Sequence, residues 1–302
     1  MRSRRARWAQ RLALVPACLL ALASAPLQAA VSVTDDAGNR VTLAQPARRV
    51  ISMSPHVTEL LFAAGGGARV VGVMNYSDYP EAAKRLTQVG SNASLDMERL
   101  VALKPDLLVV WQSGNTARQL EQLRQLGIPM FYSEPQQMEQ IATSVERLGR
   151  LLGTDAVAAQ AAGAFRARMQ SLGARYGKRA PVRMFYQIWD KPLYTLNGQQ
   201  IVSDAIRLCG GVNVFASLPV KAPEVTVEAV IGADPEAIFG GERAEQEEGG
   251  LNLWKPYKSM LAVRRGNLFS LSGGLLARAG PRMVDGAAEL CEKLELARQR
   301  RP

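Results

Sequence analysis

The sequence predicts an α/β protein in which two blocks of alternating strands and helices flank one long α-helix. The helix is the segment 154–176. It holds no proline and only two glycines, is rich in alanine, and repeats Ala158, Ala161, Ala162, Phe165, Met169 and Leu172 at three- and four-residue steps as one apolar stripe. Thr154 and Asp155 read as an N-cap and a first-turn carboxylate. Such a helix would span roughly 35 Å, the height of a small domain. Each flank has ordinary domain size. The chain therefore reads as two lobes, 31–153 and 177–302, joined by a rigid spacer, 154–176. Periodicity leaves one alternative open, a single α/β domain with one more surface helix.

In the first flank, residues 31–43 alternate apolar and polar around Asp36-Ala-Gly-Asn and predict a hairpin. The β-branched run 49–53 stops at Ser54-Pro55. Residues 58–64 predict a helix ended by Gly65-Gly66-Gly67, and 70–73 a strand. A turn-rich loop, 75–80, follows. Asp96 caps a helix to residue 103, and Pro105-Asp106 leads into the apolar strand 107–111. Residues 115–126, 129–132 and 138–152 read as helix, strand and helix. In the second flank, 183–188 is a strand, 203–208 a helix, and Thr226 caps a helix that runs to Asp234-Pro235. Strands 237–239 and 267–271 and a closing helix, 282–294, complete it. The charged, glycine-ended stretch 242–250 predicts a mobile surface loop. Strands alternating with helices predict mainly parallel, helix-covered sheets.

The two flanks echo each other. Glu98-RLVALK-Pro105-Asp106 and Glu228-AVIGAD-Pro235-Glu236 each place a capping residue two positions before a glutamate. An apolar helix, a proline, an acid and a strand then follow. Glu98 and Glu228 thus occupy equivalent first helical turns, one per lobe. Each could merely complement a helix dipole; as a pair on a rigid body they could be read by one partner.

The first thirty residues are predicted to be a leader rather than fold. Five arginines precede an apolar run, 12–22, and small residues lead to a cleavage site after Ala29 or Ala30. The run is too short and too early for a permanent membrane span. Pro16 beside Cys18, and the apolar run continuing past it, argue against a lipid anchor. Five of the ten excess positive charges are leader arginines, which leaves about +5 on the remaining chain. Lys255, Lys258, Arg264 and Arg265 are scattered without interleaved aromatics, so no nucleic-acid partner is expected. Cys209 and Cys291 remain, and one cysteine pair in an exported chain predicts one disulfide, with two free thiols as the alternative.

Catalytic constellations are scarce. The single histidine, His56, excludes a histidine-rich zinc site, an HExxH protease and most Ser-His-Asp hydrolases. No GxSxG or GxxxxGK[ST] segment is present, and Gly65-Gly66-Gly67 follows a helix, not a strand. His56, at a helix start, reads as a surface histidine, with an axial metal ligand as the sharper alternative. Tyr76, Tyr79, Trp111, Trp189 and Tyr194 fall in loops or at strand ends. There they could line a cleft for a large, flat, partly polar ligand, or simply fill each lobe's core.

Several runs together resemble the periplasmic cobalamin-binding proteins of bacterial corrinoid uptake. They are SPHVTELLFAAG (54–65), VGVMNYSDYPEAA (71–83), MERLVALKPDLLVVW (97–111) with SGN (113–115), CGGVNVF (209–215), the Glu228 segment, and ARAGPR…LC (277–291). They are spread in order over nearly the whole mature chain. The wider class is the helical-backbone substrate-binding proteins of ABC importers. That resemblance implies two Rossmann-like lobes with mainly parallel sheets joined by one long α-helix. It implies a non-enzymatic, periplasmic, monomeric protein with no resident cofactor, whose partners are cobalamin and the membrane permease subunits of an importer.

Residue by residue, the resemblance makes Tyr76 and Trp111 ligand contacts and places Trp189 in a segment that presents another ligand-facing aromatic. Arg278 is retained from the ligand-facing tail, and His56 joins this candidate set. Glu98 and Glu228 match the glutamates that dock on permease arginines, and Cys209 and Cys291 match a disulfide pair. Asn92 stands where the family's best-known cobalamin binder has a tryptophan, and Gly274-Leu275-Leu276-Ala277 replaces an acidic and aromatic run. The second lobe's cleft wall therefore differs, which keeps haem and ferric siderophores as alternative ligands.

Overall fold

A computed structural model describes residues 30–241 and 247–302. The predicted leader, apart from Ala30, and the first part of the predicted loop 242–250 lie outside the described residues. The chain opens with an antiparallel hairpin, β1 (Val31–Thr34) and β2 (Arg40–Leu43). There follow β3 (Val50–Ser52), α1 (Pro55–Ala63), β4 (Val70–Val73), β5 (Thr87–Gln88), α2 (Met97–Ala102), β6 (Leu107–Trp111), α3 (Ala117–Arg124), β7 (Met130–Ser133) and α4 (Met138–Leu152). The long helix is α5 (Asp155–Tyr176). Beyond it come β8 (Val182–Gln187), β9 (Trp189–Asp190), β10 (Leu193–Tyr194), α6 (Ile201–Leu208), β11 (Gly211–Asn213), α7 (Val227–Ala233), β12 (Ala237–Gly241), α8 (Leu261–Arg264), β13 (Leu268–Leu271) and α9 (Met283–Gln299).

Two all-parallel sheets result, in the orders β5-β4-β3-β6-β7 and β11-β8-β12-β13. Their central strands are apolar throughout because helices cover both faces, as in Leu107 to Val110 and Ala237 to Phe239, all fully buried. The molecule thus has two Rossmann-like lobes joined by one long helix. Helix α5 lies against α4, where a Cβ on Gly149 would sit 2.2 Å from the Ala158 methyl group, so glycine permits the close crossing. Arg166 fastens the same pair, donating to Glu139 at 2.7 Å and to Glu146 at 2.5 and 2.9 Å. The Arg166 hydrogen bonds hold the Glu146 carboxyl below its usual range.

The alanine-rich stripe faces inward as expected: Ala158, Ala162 and Phe165 are buried, with Ala161, Met169 and Leu172 packed at the margin. Thr154 departs from expectation. Its hydroxyl donates to Ala64 O at 2.6 Å instead of capping α5, so it ties the helix entrance to the end of α1. Cys209 and Cys291 are bonded, linking the end of α6 to α9 inside the second lobe. Residues Glu247–Trp254 form 3-10 turns, and Trp254 is fully buried, so this side of the predicted loop anchors in the core.

The echo between lobes is three-dimensional. Asp96 accepts from Arg99 N–H and Thr226 from Ala229 N–H, capping α2 and α7 alike. Each helix is followed by a positive-φ residue, Lys104 or Asp234. The acid after each proline then meets the neighbouring strand: Asp106 accepts from Arg48 N–H and Arg49 N–H at 2.8 and 2.9 Å, and Glu236 from Arg183 N–H at 3.5 Å. Glu98 and Glu228 are exposed in the two equivalent first turns.

Candidate functional site

Parallel strands bring their carboxyl ends to one edge, and a crevice opens where neighbouring connections leave in opposite directions. In the first sheet that point lies between β3 and β6, and in the second between β8 and β12. Ser54, Pro55 and His56 follow β3, Trp111 ends β6, and Trp189 follows β8. The aromatics therefore gather at the edges that topology favours for a ligand.

Trp111 is held from two sides. Its backbone N–H donates to Asn115 Oδ1 at 2.9 Å, and Asn115 Nδ2 donates to Met53 O at 3.3 Å, clamping the end of β6 to the end of β3. The indole lies over Gly114, where a Cβ would come within 1.8 Å of the ring, so no larger residue fits there. His56 meets Trp111 edge to face with centroids 5.2 Å apart.

His56 is not at the surface. It is 5% exposed, its Nδ1 is 2.7 Å from Ser54 Oγ, and its Nε2 has no partner among the described residues. The surface reading fails because the ring packs against Trp111 where residues 277–279 of the second lobe line the same cavity. Burial, then the charge of Arg278, pushes the imidazole down to about 3. The unfolded chain thus binds a proton that the fold excludes between about pH 3 and 6.5. Stability should fall as pH drops through this window, by up to about 1.4 kcal/mol per pH unit. As the chain has one histidine, chemical denaturation between about pH 5 and 6.5 isolates the effect from the carboxylates. His56→Gln should flatten the slope.

Behind His56 lies a cluster absent from the sequence reading. Glu59, 3% exposed, accepts from Arg282 Nε at 3.0 Å and from a terminal nitrogen at 2.6 Å, with Arg278 3.6 Å away. Arg278 also donates to Asp78 at 2.6 Å, a hydrogen bond that holds the Asp78 carboxyl below its usual range. Arg282 stacks over Tyr79 at 3.9 Å. These groups tie the loop after β4 and helix α1 to the start of α9 in the other lobe. Further ties are Asp204 accepting from Met138 N–H at 2.8 Å and Lys221 3.8 Å from Glu134. Arg282→Ala would strand a buried carboxylate with only Arg278 in reach. A loss of about 3 kcal/mol in denaturant unfolding is expected, partly recovered when Glu59→Gln is added.

Between the lobes lies a cavity of about 160 Å³, lined among others by Ser54, His56, Trp111, Glu134, Gln200 and Arg278. A second, of about 300 Å³, holds Tyr76 and Asn92 and shares Pro55 with the first. Tyr76 is 80% exposed and takes a left-handed φ of 65°, strain that is common at functional loops. The structure thus brings His56, Trp111 and Arg278 together, with Tyr76 on the adjoining wall. Trp189, 42% exposed, lines neither cavity; its Nε1–H donates to Lys191 O at 2.9 Å. A larger groove, about 700 Å³, lies away from the strand ends between β1, α4 and α5. Its Arg147 and Arg150 are already paired with Asp36 and Asp155. Among the described residues, no cluster of three His, Cys, Asp or Glu side chains could hold a metal ion.

Residues 50–272 match the profile of the periplasmic binding proteins. The chain belongs to that family. One relative within reach of the family is the vitamin B12-binding protein of Vibrio parahaemolyticus serotype O3:K6, 36% identical over 258 residues that cover 85% of this chain and 93% of that one. Among solved structures, the periplasmic vitamin B12 binding protein BtuF of Vibrio cholerae superposes with a TM-score of 0.77 at 36% identity, covering 84% of this chain and 98% of its own. A periplasmic heme binding protein from Pseudomonas aeruginosa superposes with a TM-score of 0.70 at 25% identity, covering 81% and 91%. Family membership agrees with the two-lobed fold and with a crevice between lobes.

Proposed function

We propose that the protein captures cobalamin or a related corrinoid in the periplasm and delivers it to an ABC importer. The observation that carries this reading is the crevice at the carboxyl ends of both sheets, with Trp111 and Tyr76 on its first wall, in a chain 36% identical to a vitamin B12-binding protein. Indole and phenol faces would cover the apolar surface of the corrin. Arg278, His56 and, from the second lobe, Trp189 would complete the contact. Glu98 and Glu228 would dock on cationic permease side chains, one per lobe. The mechanism is binding and release of an unaltered ligand by a monomer whose leader is removed after Ala29 or Ala30. Its units are 31–153, the spacer 154–176 and 177–302.

Titration with cyanocobalamin and with haem, followed by calorimetry and absorbance, tests this. Stoichiometric binding of cyanocobalamin, with intact ligand recovered, is expected, and Trp111→Ala should weaken it tenfold or more. Preference for haem would overturn the assignment, and recovery of a modified corrinoid would make the protein an enzyme. Small-angle scattering should change little on loading, since one helix and several inter-lobe ion pairs oppose a large closure.

A further inference from the structure

Beside the Trp111 wall lies the second pocket. All six residues that line it, Pro55, Asn75, Tyr76, Ser91, Asn92 and Ala93, belong to the first lobe. None of them is charged, so the pocket suits a neutral guest. A protein cavity of about 150 Å³ holds one benzene, so about 300 Å³ admits a two-ring group but no macrocycle. The backbone around it is held in place. Ser91 N–H donates to Ser94 O at 2.7 Å and Asn75 N–H to Gly90 O at 2.9 Å, and the buried Gln119 amide donates to Ser91 O and Asn92 O at 3.1 and 3.2 Å. The side-chain amides of Asn75 and Asn92, by contrast, have no hydrogen-bond partner among the described residues. Next to them Tyr76 offers a phenol ring that is 80% exposed. A ring face beside two unspent amides fits a flat heterocycle with hydrogen-bonding groups along its edge.

We propose that this pocket is a specificity subsite for the base of the corrinoid's nucleotide loop, and that it favours a purine over dimethylbenzimidazole. This rests on the corrinoid reading above. Tyr76 stacks on the base, a contact that any base can make. Selection then falls to Asn75 and Asn92. A side-chain amide has one acceptor and two donors, and it pairs bidentately with the amino group and a ring nitrogen of adenine. The outer edge of dimethylbenzimidazole carries methyl groups and C–H bonds. It would strip water from the amides and return no hydrogen bond.

The test is calorimetry of the full mature chain at neutral pH with three cyano-corrinoids. They are a form with an adenine base, cyanocobalamin with its dimethylbenzimidazole, and cobinamide, which has no base. The adenine form should bind about tenfold tighter than cyanocobalamin, and tighter than cobinamide. Asn92→Ala should shrink that preference, and Asn92→Trp, which puts an apolar ring in place of the amide, should reverse it. Equal binding of the two base-bearing forms, or a preference for cyanocobalamin, would overturn the purine subsite and leave the corrinoid reading standing. Failure of all three to bind would overturn the corrinoid reading as well. The ligand series on the unmutated protein decides the matter even if a variant fails to fold.

Discussion

Replacing both Glu98 and Glu228 by alanine is expected to abolish uptake in a reconstituted importer while cyanocobalamin affinity in solution stays unchanged. The two carboxylates are exposed in the first turns of α2 and α7, and each follows a capping residue that holds its turn in place. Neither lines the two candidate cavities. Loss of one partner from a desolvated interfacial charge pair costs roughly 2–5 kcal/mol. Two such losses should weaken docking by more than about a thousandfold, whereas either single variant should retain measurable transport. Calorimetry on the same preparation supplies the control. A fall in ligand affinity would overturn the proposed docking role and assign these glutamates to the binding site.

Removal of the Cys209–Cys291 bond should cost about 4 kcal/mol, from the chain entropy released by opening a loop of this length. The bond joins residues 82 apart. Both cysteines are fully buried, at the place where α6 and α9 meet. Cys209→Ala with Cys291→Ala should therefore lower the denaturant midpoint markedly. Reductant should reproduce the loss in the unsubstituted protein only after the fold opens. An unchanged midpoint would show that packing of α6 on α9, not the cross-link, carries the stability of this region.

Elements that carry local signals were legible in the sequence. The strands 70–73 and 107–111, the helix 138–152 and the caps Asp96 and Thr226 stand where their patterns place them. The short pieces β5, β9, β10 and β11 were not, because two or three residues hold no periodicity; β5 and β11 exist by pairing with β4 and β8, and β9 and β10 by pairing with each other. The site divides along the same line. Trp111 and Tyr76 announce themselves as aromatics at strand ends. Glu59 and Arg282 do not, being 223 residues apart in sequence, and each is unremarkable in its own helix. The burial of His56 was hidden for the same reason, since Trp111 and residues 277–279, which line its cavity, lie far away in sequence. Thr154 obeyed a capping pattern, but its hydroxyl accepts from no N–H of α5 and is turned to donate to Ala64 O, a partner that only the folded chain supplies.

One apolar cluster runs without a break from Val50 and Leu107, through Ala158 and Phe165 of the long helix, to Val182 and Phe239. The two halves therefore share an interior as well as a spacer. Severed between them, either piece would present a raw greasy face to water and would aggregate or stay unstructured instead of standing alone. Heat should likewise melt the molecule in a single step, with neither sheet outliving the other.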